Sequence, residues 1–183
     1  ALDAKIRVEL RMEIRRIQQQ LGMTTVYVTH DQEEALSLSD RVVVMSRGLM
    51  EQVGTPAEIY NYPTTEFVAS FVGQLNLLPI NSVDLGQKTC TIGGQAVRFS
   101  HHLARPDGSA LRLAIRPEEI QFGEDSERNQ LHGKVESVMF LGAVIRLMVT
   151  VGETRLTADI FNERQITLPK AGDEVIISFP EYS

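Results

Sequence analysis

The segment "VYVTHDQEEA", residues 26–35, joins a short apolar run to an acidic helix start, and His30 lies at the junction. A strand end holds its side chains firmly, and a helix start attracts anions through its free N–H groups and its dipole. An imidazole changes its protonation near neutral pH. The junction is therefore where we first expect chemistry, although the segment alone also fits an ordinary strand-end histidine.

Other reactive side chains are better explained by structure. Cys90 lies in "KTCTIGG", a strand-like segment, where a packed structural cysteine is favoured over a catalytic thiol. His101 and His102 are adjacent, so in a strand they point to opposite faces and seldom hold one ion together. We expect both in a loop, and His132 on the surface at a strand start.

The tripeptide Arg116-Pro117-Glu118 closes a predicted strand in the second half of the chain. Pro117 has no N–H to donate, so it stops the strand ladder. The residues alone predict a turn in which Arg116 pairs with a carboxylate.

The helix before the junction is predicted from one apolar stripe at steps of three and four residues: Leu2, Ile6, Leu10, Ile14, Ile17 and Leu21. Gly22 ends this helix, and Asp3 stands in its first turn, where a carboxylate suits the dipole. Arg7, Arg11 and Arg15 share another face, which we expect to be solvated.

The elements around His30 follow from the same patterns. Thr24 to Thr29 is β-branched and aromatic, which predicts a buried strand, and Asp31 then caps a helix to about Ser39. A hairpin is predicted over residues 41–53, a helix capped by Thr55 follows, and a last short helix covers residues 65–72. These elements are too few to cover both faces of a parallel sheet, so residues 1–73 resemble the tail of a larger α/β domain.

The pattern changes after Gly73, where apolar and polar residues alternate in several short segments. Gly93-Gly94 and the segment Phe140-Leu141-Gly142 provide turns between them. Short strands at this spacing predict a small antiparallel barrel or sandwich over residues 74–183.

Composition excludes several classes of protein. The net charge is −6, with 7 basic and 10 acidic side chains in residues 1–73 and 11 and 14 in residues 74–183, so neither part is a basic nucleic-acid-binding lobe. An aromatic content of 6% also argues against an OB-like nucleic-acid binder, which stacks bases on rings. A single cysteine excludes an internal disulfide and fits a reducing compartment.

Three strings together carry a family resemblance: "LDAKIR", "VYVTHDQEEALSLSDRVVVMSRGLMEQVGTPAEIYNYPTTEFVASFVG" and "LAIRPEEI". They resemble the ATPase subunits of ABC importers, in the subgroup for maltose, polyamines, ferric iron and phosphonate. The implied fold is an α/β remnant of the ATPase nucleotide-binding domain over residues 1–73, followed by an all-β, OB-like barrel accessory domain over residues 74–183. The resemblance is dense over residues 2–73 and looser beyond.

The resemblance also implies roles for single residues. His30 corresponds to the switch histidine that contacts the γ-phosphate of ATP, and Asp3 to the D-loop aspartate at the ATPase dimer interface. Arg116-Pro117-Glu118 corresponds to a hallmark of the accessory domain, found where that domain packs on its neighbour.

The motifs that hold ATP and magnesium in this family are absent from the 183 residues: the P-loop GxxxxGK[ST], the glutamine loop, the glycine-rich signature and the aspartate–glutamate strand end. We therefore expect the C-terminal portion of a transport ATPase, inactive alone, whose full-length parent uses ATP and Mg²⁺. Expected partners are a second copy in a homodimer, transmembrane permease subunits and, indirectly, an extracytoplasmic solute-binding protein. The expected location is peripheral, on the cytoplasmic face of the cell membrane, with no nucleic acid bound.

One alternative belongs to a different class. The chain would then be a stand-alone regulatory module that binds a small anion or a partner protein. The sequence shows no glycine-rich nest or arginine cluster that would specify such an anion.

Overall fold

A computed structural model describes residues 4–99, 110–163 and 167–181 of the chain. The chain divides into two compact units, an N-terminal unit of residues 1–74 and a C-terminal unit of residues 75–183. The helices and strands of the N-terminal unit are α1 (Ala4–Leu21), α2 (Gln32–Leu38), β1 (Val42–Ser46), β2 (Leu49–Gly54), α3 (Pro56–Asn61) and α4 (Glu66–Phe71).

Local signals place most boundaries of the N-terminal unit. Gly22 follows α1 with φ 59°, a left-handed conformation that suits glycine. Thr55 and Glu58 form a complete capping box at the start of α3, and the Thr65 hydroxyl accepts the amide of Val68 at the start of α4. The predicted helices and the hairpin β1–β2 are confirmed.

The predicted buried strand at Thr24–Thr29 is wrong for this structure. The segment has no regular secondary structure, and Val26 and Val28 are 88% and 92% exposed. Residues 24–29 pair with none of the strands in the described part of the chain. A β-branched run becomes a strand only when a neighbouring strand takes up its N–H and C=O groups, so propensity alone is insufficient here.

The core of the N-terminal unit is small. Its buried side chains come from β1, α3, α4 and the residue after α4: Val42, Val44, Ile59, Val68 and Val72. Ala35 and Leu36 of α2 and Tyr60 of α3 are partly buried and pack against them. Helix α1 contributes none of these residues. Its apolar stripe is exposed instead, at Ile6, Leu10, Ile14, Ile17 and Leu21.

The C-terminal unit is built from β-strands. They are β3 (Asn76–Pro79), β4 (Ser82–Asp84), β5 (Thr89–Ile92), β6 (Gln95–Arg98), β7 (Arg112–Ile115), β8 (Gln121–Phe122), β9 (Asn129–Phe140), β10 (Val144–Val151), β11 (Thr154–Phe161) and β12 (Glu174–Phe179), with a 3-10 helix at Pro117–Glu119. The largest sheet has the order β11-β10-β9-β12-β8, and the antiparallel pair β3–β7 and the three-stranded antiparallel sheet β4–β5–β6 complete the unit. This agrees with the predicted small antiparallel β domain.

Amide side chains connect these separate sheets. Asn76, on β3, donates to the carbonyl of Thr157 at 2.8 Å and accepts its amide at 2.7 Å, so it extends the β11 ladder. Asn129 bonds both backbone groups of Arg98 in the same way, at 2.7 and 2.9 Å. Paired amide bonds replace strand pairing where the sheet curls, because a carboxamide offers the same donor and acceptor as a peptide.

Strand alternation produces one continuous core in this unit. Along β10, partly exposed residues alternate with fully buried ones, which are Ile145, Leu147, Val149 and Val151. At Gly133 on β9, a Cβ atom would lie 2.6 Å from Val149 Cγ1 and 2.9 Å from the carbonyl oxygen of Thr150. The close approach of β9 and β10 therefore requires glycine at this position.

Candidate functional site

His30 lies at the bend between the irregular segment 23–29 and helix α2, and its side chain is exposed. It lines a shallow depression of about 400 Å³ together with Arg7, Arg11, Asp31 and Glu33, among others. An exposed imidazole at a fixed bend can present an N–H to an anion that enters from solvent.

Hydrogen bonds on both sides of His30 fix the bend. Asp31 accepts the amide of Glu34 at 3.2 Å, which caps α2, and its own amide donates to the Thr29 hydroxyl at 3.0 Å. That hydroxyl donates to Glu34 Oε2 at 2.7 Å. The predicted Asp31 cap is confirmed, and both residues that flank His30 bond Glu34, Thr29 through its carboxylate and Asp31 through its backbone amide.

Arg11 of α1 binds the acidic residues at the start of α2. Its guanidinium lies 2.8 Å from Asp31, 3.0 Å from Glu33 and 3.7 Å from Glu34, and its side chain is 11% exposed. The hydrogen bond with Glu33 raises the pKa of Arg11. The amide of Glu34, with Arg11 adding to its effect, lowers the pKa of Asp31.

The prediction that the arginine face of α1 is solvated is therefore wrong for Arg11, whereas Arg7 is exposed as predicted. Arg15 also docks on α2, since it donates to the carbonyl of Leu38 at 2.9 Å and pairs with Asp40. Spacing by four residues places these arginines on one helix face. The carboxylates that they meet lie 20 and 25 residues away in sequence, at Asp31 and Asp40.

The other predicted site residues lie elsewhere. Asp3 lies outside the described residues. Arg116 follows β7 and is 7% exposed, and its amide donates to Glu119 at 3.0 Å as the 3-10 helix begins. Pro117 is buried in that helix and ends the strand as predicted, while Glu118 is exposed. The tripeptide lies in the C-terminal unit, and the described residues that line the depression at His30 are all in the N-terminal unit.

Two features are absent from the described residues. They contain no cluster of three or more His, Cys, Asp or Glu side chains arranged to hold a metal ion. None of their helices combines the length and the apolar character that crossing a membrane requires. Cys90 is buried within its strand, in agreement with the structural interpretation, and His132 is exposed as predicted.

Comparison with known proteins identifies the relatives of both units. Residues 113–183 match the TOBE domain family. The sulfate/thiosulfate import ATP-binding protein 2 of Chromobacterium violaceum is 48% identical over 149 residues, which are 80% of this chain and 40% of that protein. The spermidine/putrescine import ATP-binding protein of Thermobifida fusca is 38% identical over 191 aligned positions, covering 100% of this chain and 50% of the relative.

A third relative is named for another solute. The Fe(3+) ions import ATP-binding protein 2 of Rhizobium meliloti is 42% identical over 178 residues, or 91% of this chain and 42% of that protein. The chain spans about half the length of the curated relatives it matches. The resemblance found in the sequence is thereby confirmed: the chain is similar over its whole length to an ATP-binding subunit of an ABC importer, and residues 113–183 match the TOBE domain family.

Proposed function

We propose that these 183 residues are part of an ATP-hydrolysing importer subunit that couples ATP binding and hydrolysis to solute uptake. The observation that carries the proposal is the 38% identity to an import ATP-binding protein across 100% of the chain. A stand-alone regulatory module explains the TOBE match but not the similarity of residues 1–74 to import ATP-binding proteins. Relatives named for sulfate, spermidine and Fe(3+) match this chain at 38–48% identity, so the similarity does not follow the solute.

Each unit has its own part in the proposal. The N-terminal unit is the remnant of a nucleotide-binding domain, in which His30 contacts the γ-phosphate of ATP and Asp3 lies at the interface with a second copy. The C-terminal unit strengthens dimerisation and receives regulatory signals, and Arg116-Pro117-Glu118 packs it on its neighbour. The subunit works peripherally on the cytoplasmic face of the membrane with permease subunits.

The residues present fit one contact of a nucleotide site. His30 offers a donor at an open depression, and the network of Thr29, Asp31 and Arg11 holds its backbone. ATP with Mg²⁺, when bound, supplies the phosphoryl group and neutralises its developing charge. The described residues contain no cluster of three or more His, Cys, Asp or Glu side chains that would hold that metal. The imidazole orients the terminal phosphate, and the network of Thr29, Asp31 and Arg11 keeps the imidazole in position.

The contribution of this chain to the mechanism is thus to hold the His30 side chain in position. An imidazole N–H aimed at a terminal phosphate stabilises charge only if its orientation is set before the reaction, since reorganisation costs activation energy. The capped start of α2 fixes Asp31, which follows His30. The bond from the Thr29 hydroxyl to Glu34 fixes Thr29, which precedes it. His30 lies between these two fixed points, which limits the motion of its backbone.

The test has two stages. Calorimetric titration of Mg-ATP into the purified 183-residue chain is expected to show no heat of binding, because the phosphate-binding motifs are absent. The reading frame around these codons is then sequenced, and the encoded subunit is assayed. We expect an upstream P-loop and signature, and ATP hydrolysis that His30→Ala abolishes while the surface variant Arg16→Met does not. Tight binding by the 183-residue chain, or full hydrolysis by His30→Ala, would overturn the proposal.

A further inference from the structure

A hydrogen bond connects the bend at His30 (the His30 turn) to the end of the N-terminal unit. The backbone N–H of Gly73 donates to Gln32 Oε1 at 2.7 Å, across 41 residues of sequence. Gln32 is the first residue of α2 and follows His30 by two positions. Gly73 is the penultimate residue of the N-terminal unit, and the chain passes from it through Gln74 into the C-terminal unit.

The conformation of Gly73 makes this bond specific. Helix α4 ends at Phe71, where the amide of Val72 still bonds the carbonyl of Val68 at 3.0 Å. Gly73 then takes φ 87°, a left-handed conformation that turns the chain out of the helix. A left-handed residue after a helix commonly directs its N–H back to a helix carbonyl. Here the N–H instead reaches a side chain on another helix.

Packing reinforces the connection between the two helices. Ala35 and Leu36 of α2 pack against the core cluster that contains Val68 and Val72, from α4 and its end. A close-packed core transmits a displacement rather than absorbing it. A shift at the start of α2 therefore acts on Gly73 through the Gln32 carboxamide and through this core.

We propose that Gln32 is a positioning residue that couples the state of the His30 turn to the segment through which the chain enters its TOBE-containing unit. The inference rests on the proposed function only in taking His30 as the group that meets the nucleotide. In one state of the turn, Gln32 Oε1 accepts the Gly73 amide and fixes the direction in which the chain leaves the N-terminal unit. In the other state α2 shifts, the bond is lost, and that direction is no longer fixed.

The bond is of the right strength for a switch. One net hydrogen bond changes an equilibrium by about fivefold, which a ligand with different affinity for the two states can reverse. A much stronger interaction would hold the chain in one direction whether or not a ligand is bound. The bond breaks once α2 shifts further than the Gln32 side chain can follow, since hydrogen-bond geometry is restrictive.

The matched variants are Gln32→Met and Gln32→Glu. Methionine has nearly the same length without the acceptor, whereas glutamate keeps an acceptor and suits the helix start. In the 183-residue chain, we expect the Gly73 amide to exchange with solvent about fivefold faster in Gln32→Met and at the wild-type rate in Gln32→Glu, measured by NMR. Equal exchange in both variants would overturn the inference.

The coupling itself is tested in the encoded subunit by hydrogen exchange of peptides covering residues 72–76, with and without saturating Mg-ATP. We expect nucleotide to change their exchange in wild type and Gln32→Glu, and not in Gln32→Met. A response that persists in Gln32→Met, or its absence from a wild-type subunit that hydrolyses ATP, would overturn the coupling and leave the proposed function intact. Normal hydrolysis by His30→Ala would overturn the proposed function, and with it the nucleotide end of the coupling.

Discussion

Arg11, in the middle of α1, donates to Asp31, the capping residue of α2, at 2.8 Å. One oxygen of Asp31 thus accepts the arginine while the other accepts the amide of Glu34. The two helices are joined through charged groups, and the apolar stripe of α1 faces away into solvent. The residue that caps α2 is also the residue through which α1 is attached, so the cap and the docking depend on each other.

Replacing Arg11 with methionine should detach α1 from α2. The substitution keeps the aliphatic length of the side chain and removes its hydrogen bonds to Asp31 and Glu33. We expect faster amide exchange in peptides from both helices, measured by hydrogen-exchange mass spectrometry. Arg16→Met is the control, because Arg16 bonds Glu13 within α1, at 2.8 Å, and not α2. Identical exchange in the two variants would show that the Arg11 cluster does not hold the helices together.

The Asp31 carboxylate should make the stability of this region depend on pH in acid. Its pKa in the folded chain is lowered from 3.8, chiefly by the hydrogen bond from the Glu34 amide and further by Arg11. The stabilisation is therefore complete above about pH 4 and is lost as the pH falls through the lowered folded pKa.

Asp31→Asn isolates this contribution, since asparagine caps a helix as well as aspartate does but carries no charge. At pH 7 the α2 peptide should exchange faster in Asp31→Asn than in wild type. The difference should shrink as the pH is lowered below 3.8. A difference that stays constant from pH 7 to pH 2, after correction for intrinsic exchange, would exclude the carboxylate as its source.

Gly133 should be sensitive to a single added methyl group. A Cβ there would lie 2.6 Å from Val149 Cγ1 and 2.9 Å from the carbonyl oxygen of Thr150, so β9 and β10 must separate to admit it. We expect Gly133→Ala to destabilise the C-terminal unit by about 1–3 kcal/mol. Gly86→Ala is the control, because among the described residues a Cβ there would have one atom within 4 Å, Asp84 Oδ1 at 3.3 Å. Urea unfolding distinguishes the two, and equal midpoints would contradict the packing argument.

Local signals were sufficient for much of this fold. Residue type and position predict Asp31 and Thr55 as caps, and both cap helices, because capping needs only neighbouring residues. The strand predicted at Thr24–Thr29 fails because a strand needs partners distant in sequence. His30 was found as the junction residue for a local reason, whereas the bond from Gly73 to Gln32 crosses 41 residues and has no local pattern.

The arginines of α1 show a further limit. A helical face with regularly spaced cations is compatible both with solvent and with an acidic partner, and only tertiary structure decides. Arg11 has three carboxylates within 4 Å, from Asp31, Glu33 and Glu34. Their sequence separation of about twenty residues hides this pairing from any window that covers one helix.

The Cys90 thiol should be unreactive in the folded chain, which distinguishes a structural cysteine from a catalytic one. Cys90 pairs with Val83 on one side and Val97 on the other, it is buried, and burial raises the pKa of its thiol. The thiolate is the reacting species, so both the raised pKa and the lack of access slow attack.

We expect modification by an aromatic disulfide reagent to be about a hundredfold slower than for an exposed thiol, and to accelerate in urea as the unit unfolds. Gln87→Cys supplies the exposed thiol in the same chain, and the two should react in separate phases. A single fast phase for both thiols would place Cys90 in contact with solvent and reopen a chemical role for it.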